Sequence, residues 1–131
     1  MTEASLKTEW VKTLRQELRG YVILRHEDRF IHGHPDASIT GNKLTSWWEG
    51  KFANPGFSYR GIQELTMLRL ALAGLAFYIV WWYNKGEKFT YIVHPNDIGK
   101  PRETWTRFVK GFDHQWVLEE VRKVHSDNHG P

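Results

Sequence analysis

The stretch that most restricts the fold runs from Leu75 to Tyr83. It is a nearly continuous series of apolar residues, rich in Val, Ile and aromatics, entered through Gly74 and left through Asn84-Lys85-Gly86-Glu87. β-Branched and aromatic side chains favour extended backbone. A strand without polar alternation has to be covered on both faces. The reading is therefore a central strand, with the rest of the chain supplying a layer on either side. Extended back to Leu70, the apolar stretch is interrupted by Gly74 and is too short and too β-rich at its end to span a bilayer. The opening MTEASLKTEW has no apolar run of signal-peptide type, so a soluble intracellular protein with no membrane partner is expected.

The layers are readable on both sides of that strand. A helix is expected from about Ser5 to Leu18, with Leu6, Trp10, Leu14 and Leu18 at helical spacing and Gly20 as its stop. Tyr21 to Leu24 reads as a strand, Arg25 to His34 as a polar loop, and Pro35 to Thr40 as a second strand. Gly41-Asn42 signals a turn into a returning strand, Lys43 to Phe52. After Asn54-Pro55-Gly56, a helix from Tyr59 to Ala73 places Ile62, Leu65, Leu68 and Leu72 on one face, expected to be core. Lys88 to Val93 reads as a further strand, with helices near Glu103 to Val109 and Trp116 to Val124. The order gives an α/β fold, a mixed central sheet flanked by helices, in a single domain spanning 1–131.

Composition narrows the chemistry. There are no cysteines, so disulfides, zinc–thiolate sites, thiol nucleophiles and iron–sulfur clusters are excluded. The formal charge of +3 is a mild basic bias, compatible with a nucleic-acid partner.

The informative constellation is His34-Pro35-Asp36, a hairpin, then Trp48-Glu49-Gly50-Lys51. Residues two apart on a strand share a face, so Glu49 and Lys51 point the same way. The hairpin brings Asp36 beside them. Two carboxylates suit a hard divalent cation, Mg²⁺ or Mn²⁺, with the Gly50 carbonyl as a further oxygen ligand. Such a cation acidifies water and offsets charge on a scissile phosphate, and the Lys51 ammonium can orient the water or stabilise the transition state.

The pattern of an N-terminal helix with a glutamate, Pro-Asp, a hairpin and Glu-x-Lys, over roughly Ser5 to Val93, resembles the PD-(D/E)XK nuclease superfamily. Within it, the short length and early glutamate are most similar to the archaeal-type and phage Holliday junction resolvases. The resemblance implies a restriction-endonuclease-like core and a metal site shared by Asp36, Glu49 and a first-helix glutamate. That glutamate is Glu9 in Leu6-Lys7-Thr8-Glu9-Trp10, with Glu17 a weaker match. The segment Gly61-Ile62-Gln63-Glu64-Leu65 is similar to the glutamine-bearing helix of several branches, including the virus-type replication-repair nucleases, which places Gln63 in support of the site. The implied activity is metal-dependent DNA cleavage, on four-way junctions for a resolvase. Two symmetric cuts from one site per chain imply a C₂ homodimer. Its apolar surface is expected around Trp81 and Trp82, or around Trp105, Phe108 and Trp116. Arg25, Lys43 and Arg60 are the expected phosphate contacts.

Plainer roles stand beside these. Asp36 can cap a turn after Pro35, Glu49 and Lys51 can form a solvated strand face, Glu9 can be an ordinary exposed helix residue, and Gln63 can be structural. His32 and His34 raise zinc, and His26 or His34 raises a histidine general base. His26 to Arg29 also read simply as a polar loop. The alternatives at the level of function are a flap-nicking or restriction-type nuclease of the same fold and a non-catalytic DNA-binding module.

Overall fold

A computed structural model describes residues 1–26, 35–55 and 62–127, with residues 62–64 described in backbone only. The first element, α1 (Glu3–Glu17), begins at a reciprocal cap. The Ser5 N–H donates to Thr2 Oγ1 at 3.1 Å and the Thr2 N–H donates to Ser5 Oγ at 3.0 Å, which satisfies two donors that the first turn leaves open. Its buried stripe is Leu6, Trp10, Val11 and Leu14.

An antiparallel meander follows, β1 (Val22–Arg25), β2 (Ala37–Gly41) and β3 (Leu44–Ala53). The tight turn is Asn42-Lys43 rather than Gly41-Asn42. Both residues have positive φ, 52° and 64°, the type I′ geometry that matches strand twist. Gly41 is the last paired residue, opposite Leu44. It is glycine for a packing reason: a Cβ there would lie 2.4 Å from the Tyr21 ring.

A helix, α2 (Ile62–Ala73), then crosses over to β4 (Leu75–Asn84), which runs parallel to β3. A second tight turn at Lys85-Gly86, again with positive φ, leads into β5 (Glu87–Val93). The expected helix from Glu103 to Val109 is replaced by a 3₁₀ turn over Arg102–Thr104 and an edge strand, β6 (Phe108–Lys110), on β5. Phe108 and Val109 are β-favouring, and the ladder hydrogen bonds offered by β5 outweigh a short helical turn. The last element is α3 (His114–Asp127).

The six strands form one mixed sheet in sequence order, β1 to β6, antiparallel except at β3–β4. β4 is central and covered on both faces. Ile79 and Trp81 pack with Trp10, Leu14, Val117 and Val121 under α1 and α3. Tyr78, Val80 and Trp82 pack with Met67, Val93 and Trp105 on the α2 side. Both tryptophans are therefore internal, Trp81 at 0% and Trp82 at 8% exposure. The expectation that one of them faces an interface is corrected. Trp105 is buried too, and Phe108 is the exposed member of the C-terminal aromatic group.

The face of α2 is also corrected. Met67 is buried with Leu70 and Ala71 against it, whereas Leu65 and Leu72 are 50% and 85% exposed. Both faces of this helix are apolar, so periodicity alone does not choose between them. Among the described residues, no helix is long and apolar enough to cross a membrane.

Candidate active site

Strand β2 ends before β3 does. Beyond the pair Ala37↔Trp48, β3 continues with no strand on that side among the described residues, and its N–H groups there need other partners. Side-chain carboxylates supply them. The Gly50 N–H donates to Asp36 Oδ2 at 2.7 Å, and the Phe52 N–H donates to Glu3 Oε1 at 2.9 Å. Two acidic residues, one just before β2 and one from the first turn of α1, thus extend the ladder along the edge of β3.

Lys7 ties them together. Its ammonium lies 2.9 Å from Asp36 Oδ1 and 3.3 Å from Glu3 Oε2. Its side chain is only 15% exposed. Burial works against its charge, but Asp36, Glu3 and Glu49 outweigh that and raise its pKa above the ordinary 10.5.

Glu49 and Lys51 leave β3 on the α2 face, since Trp48 packs on the α1 face and side chains alternate. Glu49 is 1% exposed. It lies close enough to Asp36 for a carboxyl–carboxyl hydrogen bond, and its Oε2 is buried without a hydrogen-bond partner among the described residues. Burial first, then the hydrogen bond and the charge of Asp36, push its pKa from 4.5 up to about 9, against the lowering pull of Lys51 and Lys7. A carboxyl held this way is one of two groups that cannot both ionise at close range without a cation between them. That is the observation by which the site fits a divalent cation. Asp36, Glu49 and the Gly50 carbonyl, which leaves the strand on the same side as its N–H, are the oxygens that would hold it. Few protein ligands with several retained waters is the usual arrangement for Mg²⁺. Among the described residues, no group of three or more His, Asp or Glu side chains is assembled as a complete ligand set.

The other expected site residues divide. Glu9 is two residues past Lys7, roughly 200° around the helix. Its side chain is 65% exposed, with its carboxylate 3.4 Å from His114 Nε2. It is not brought to Asp36; the α1 glutamate at the sheet edge is Glu3. Glu17 is the last residue of α1, where its carbonyl accepts from Arg122 at 3.3 Å. Arg25 ends β1 beside the site and donates to Thr8 Oγ1 at 3.1 Å. Lys43 sits in the tight turn, at the opposite end of the β2–β3 hairpin from Asp36. Gln63 lies in the first turn of α2, with its side chain outside the described residues, as are Arg60, His32, His34 and the loop Glu27 to Arg29. His26 is described. Its Nε2 lies 2.9 Å from Ser38 Oγ, its ring packs on Trp47 at 5.5 Å, and its N–H donates to the Asp36 carbonyl at 2.7 Å. It therefore buttresses the chain at Asp36.

Helical spacing does not single out Glu3 and puts Lys7 on the surface of α1, which its 15% exposure corrects. The available signal was the core stripe of α1: stepping back from Trp10 by three and seven residues lands on both, so they continue the buried face toward the sheet. Gly50 carries a constraint of its own. A Cβ there would lie 2.6 Å from the Trp81 ring and 3.4 Å from Lys7 Cγ, so glycine lets α1 and β4 close in on the site.

No protein-family model and no curated protein sequence matches the chain. Among solved structures it is similar to Hjc, a Holliday junction resolvase from Archaeoglobus fulgidus. The TM-score is 0.57 at 8% identity, and the match covers 90% of this chain and 98% of that one. The fold is α/β and restriction-endonuclease-like.

Proposed function

We propose that this protein is a metal-dependent DNA endonuclease, acting on branched DNA inside the cell, with four-way junctions as its preferred substrate. The observation that carries this reading is the carboxyl pair of buried Glu49 and half-buried Asp36 beside Lys51, along the edge of β3. The likeness to a resolvase fold supports it. A bound Mg²⁺ or Mn²⁺ supplies Lewis acidity toward water and phosphate.

The protein's own residues do the rest. Asp36 and Glu49 set where positive charge is held. Lys51, on the same face as Glu49, presents an ammonium to the attacking water or to a phosphate oxygen. Hydrolysis adds water oxygen to phosphorus and breaks one P–O ester bond, the leaving oxygen taking a proton. Gln63, in the first turn of α2, is proposed to support the site, and Arg25, at the end of β1 beside Asp36, to contact phosphate. Arg60 is proposed as a further phosphate contact, and Lys43, at the far end of the β2–β3 hairpin from Asp36, as one away from the cleaved bond.

The test is a panel of labelled four-way junction, flap, linear duplex and single strand, with Mg²⁺, with Mn²⁺ and with chelator. Asp36→Asn and Glu49→Gln are each expected to lower cleavage by at least about a hundredfold while leaving DNA binding in place. Cleavage in excess chelator, or wild-type rates in either variant, would sink the reading. Binding without cleavage of any substrate would leave a DNA-binding module of this fold.

A further inference from the structure

Asp36 has both carboxylate oxygens engaged within the protein. Oδ2 accepts from the Gly50 N–H at 2.7 Å and Oδ1 accepts from the Lys7 ammonium at 2.9 Å. A divalent cation shared by Asp36 and Glu49 has to settle beside a carboxylate that already carries an internal cation. Lys7 cannot simply retreat to solvent, since its side chain is only 15% exposed and its Cγ lies close over Gly50, 3.4 Å from where a Cβ would stand. It does have a second acceptor. Glu3 Oε2 lies 3.3 Å away, and the other oxygen of Glu3 is fixed by the Phe52 N–H. Glu3 is thus a stationary second seat, one helical turn from Lys7 on the same face of α1.

We propose that Lys7 is a built-in counter-cation: it holds Asp36 in the metal-free protein, and it yields to a divalent cation by shifting onto Glu3. This rests on the metal-dependent reading of Asp36 and Glu49. It assigns to Lys7 and Glu3 a positioning role distinct from that of Lys51. The consequence is a trade. Lys7 keeps two carboxyl groups in register without metal, and it weakens metal binding because the incoming charge must displace an ammonium from Asp36. A permanent structural ion pair would act in the opposite sense, since losing it would misplace Asp36 and weaken the metal site.

Mn²⁺ binding, followed by calorimetry and by the Mn²⁺ paramagnetic signal on the full chain, separates the two. Lys7→Gln should bind Mn²⁺ at least about tenfold more tightly than wild type, because the repulsion between an ammonium and an incoming dication is removed. The same variant should melt lower in chelator and recover most of that loss in saturating Mn²⁺. Equal or weaker Mn²⁺ affinity would overturn the proposal. If Lys7→Gln does not fold, Glu3→Gln decides, because it leaves the Lys7–Asp36 contact intact and removes only the second seat. It should bind Mn²⁺ several-fold more weakly, and unchanged or tighter binding would refute the displacement. Wild-type protein that binds no Mn²⁺, or Glu49→Gln that binds it as wild type does, would overturn the metal site itself and Lys7's part in it. Saturable wild-type binding with no gain in Lys7→Gln would overturn Lys7 alone.

Discussion

Glu49 shows how one buried side chain makes stability depend on pH. Its carboxyl is buried beside Asp36, and its pKa is raised from 4.5 to about 9. Between those values the folded protein binds a proton that the unfolded chain has released, so stability falls as pH rises. The contribution is intact below the unfolded value and is lost as pH passes through about 9. Lys7, whose pKa is also raised, titrates above 10.5 and adds no slope in that window. Glutamine at position 49 keeps the shape and removes the titration. In chelator, Glu49→Gln is expected to gain melting temperature over wild type at about pH 8.5 and to gain little at about pH 5. Thermal melts of both proteins at the two pH values measure it, and a gap that does not widen with pH would show that Glu49 ionises freely in the folded state. The residues of the Pro-Asp and Glu-x-Lys pattern were legible because a strand and a hairpin fix their directions from sequence alone. Glu3, Lys7 and the placement of Glu9 were not, because a helix offers several faces and the one that meets the sheet edge is chosen by tertiary packing.

At the scale of elements, legibility followed the strength of the local signal. The apolar run of β4 and the β2–β3 hairpin lie within two residues of their expected bounds. The hairpin turn shifted by one residue because Asn42 and Lys43 accept positive φ, freeing Gly41 to pack under Tyr21. Two elements were misread for lack of such a signal. β6 has only three residues and exists because β5 offers it an edge. The buried face of α2 is set by Met67, not by its leucine stripe. That assignment has a direct test. Met67→Ala should cost about 2–5 kcal/mol, the range for deleting a buried Met side chain. Leu72→Ala, 85% exposed, should stay within about 0.5 kcal/mol of wild type. Chemical denaturation of the two variants gives both numbers, and the reverse ranking would put the leucine stripe back in the core.

For the whole molecule, the proposed nuclease reading and one candidate site among the described residues bear on how DNA would be cut. One site makes one cut, whereas resolving a four-way junction takes two cuts related by symmetry. A homodimer with two-fold symmetry supplies two identical sites in matching relation. The tryptophans of β4 are buried within each chain, so they are not the surface on which such a dimer forms. The apolar side chains left at the surface include Leu65 and Leu72 on α2, Val22 and Leu24 on β1, and Phe108 on β6. The expected outcome is a dimer at micromolar concentration that cuts four-way junctions in preference to linear duplex. Its junction affinity should fall with rising salt, with a log–log slope of roughly −0.9 for each phosphate neutralised. Sedimentation with and without junction DNA, together with a salt titration of binding, measures both. A monomer that cuts linear duplex as well as junctions would remove the resolvase assignment and leave a general nuclease. A flat salt profile would argue against any nucleic-acid substrate, because phosphate contacts release counterions whatever the DNA shape.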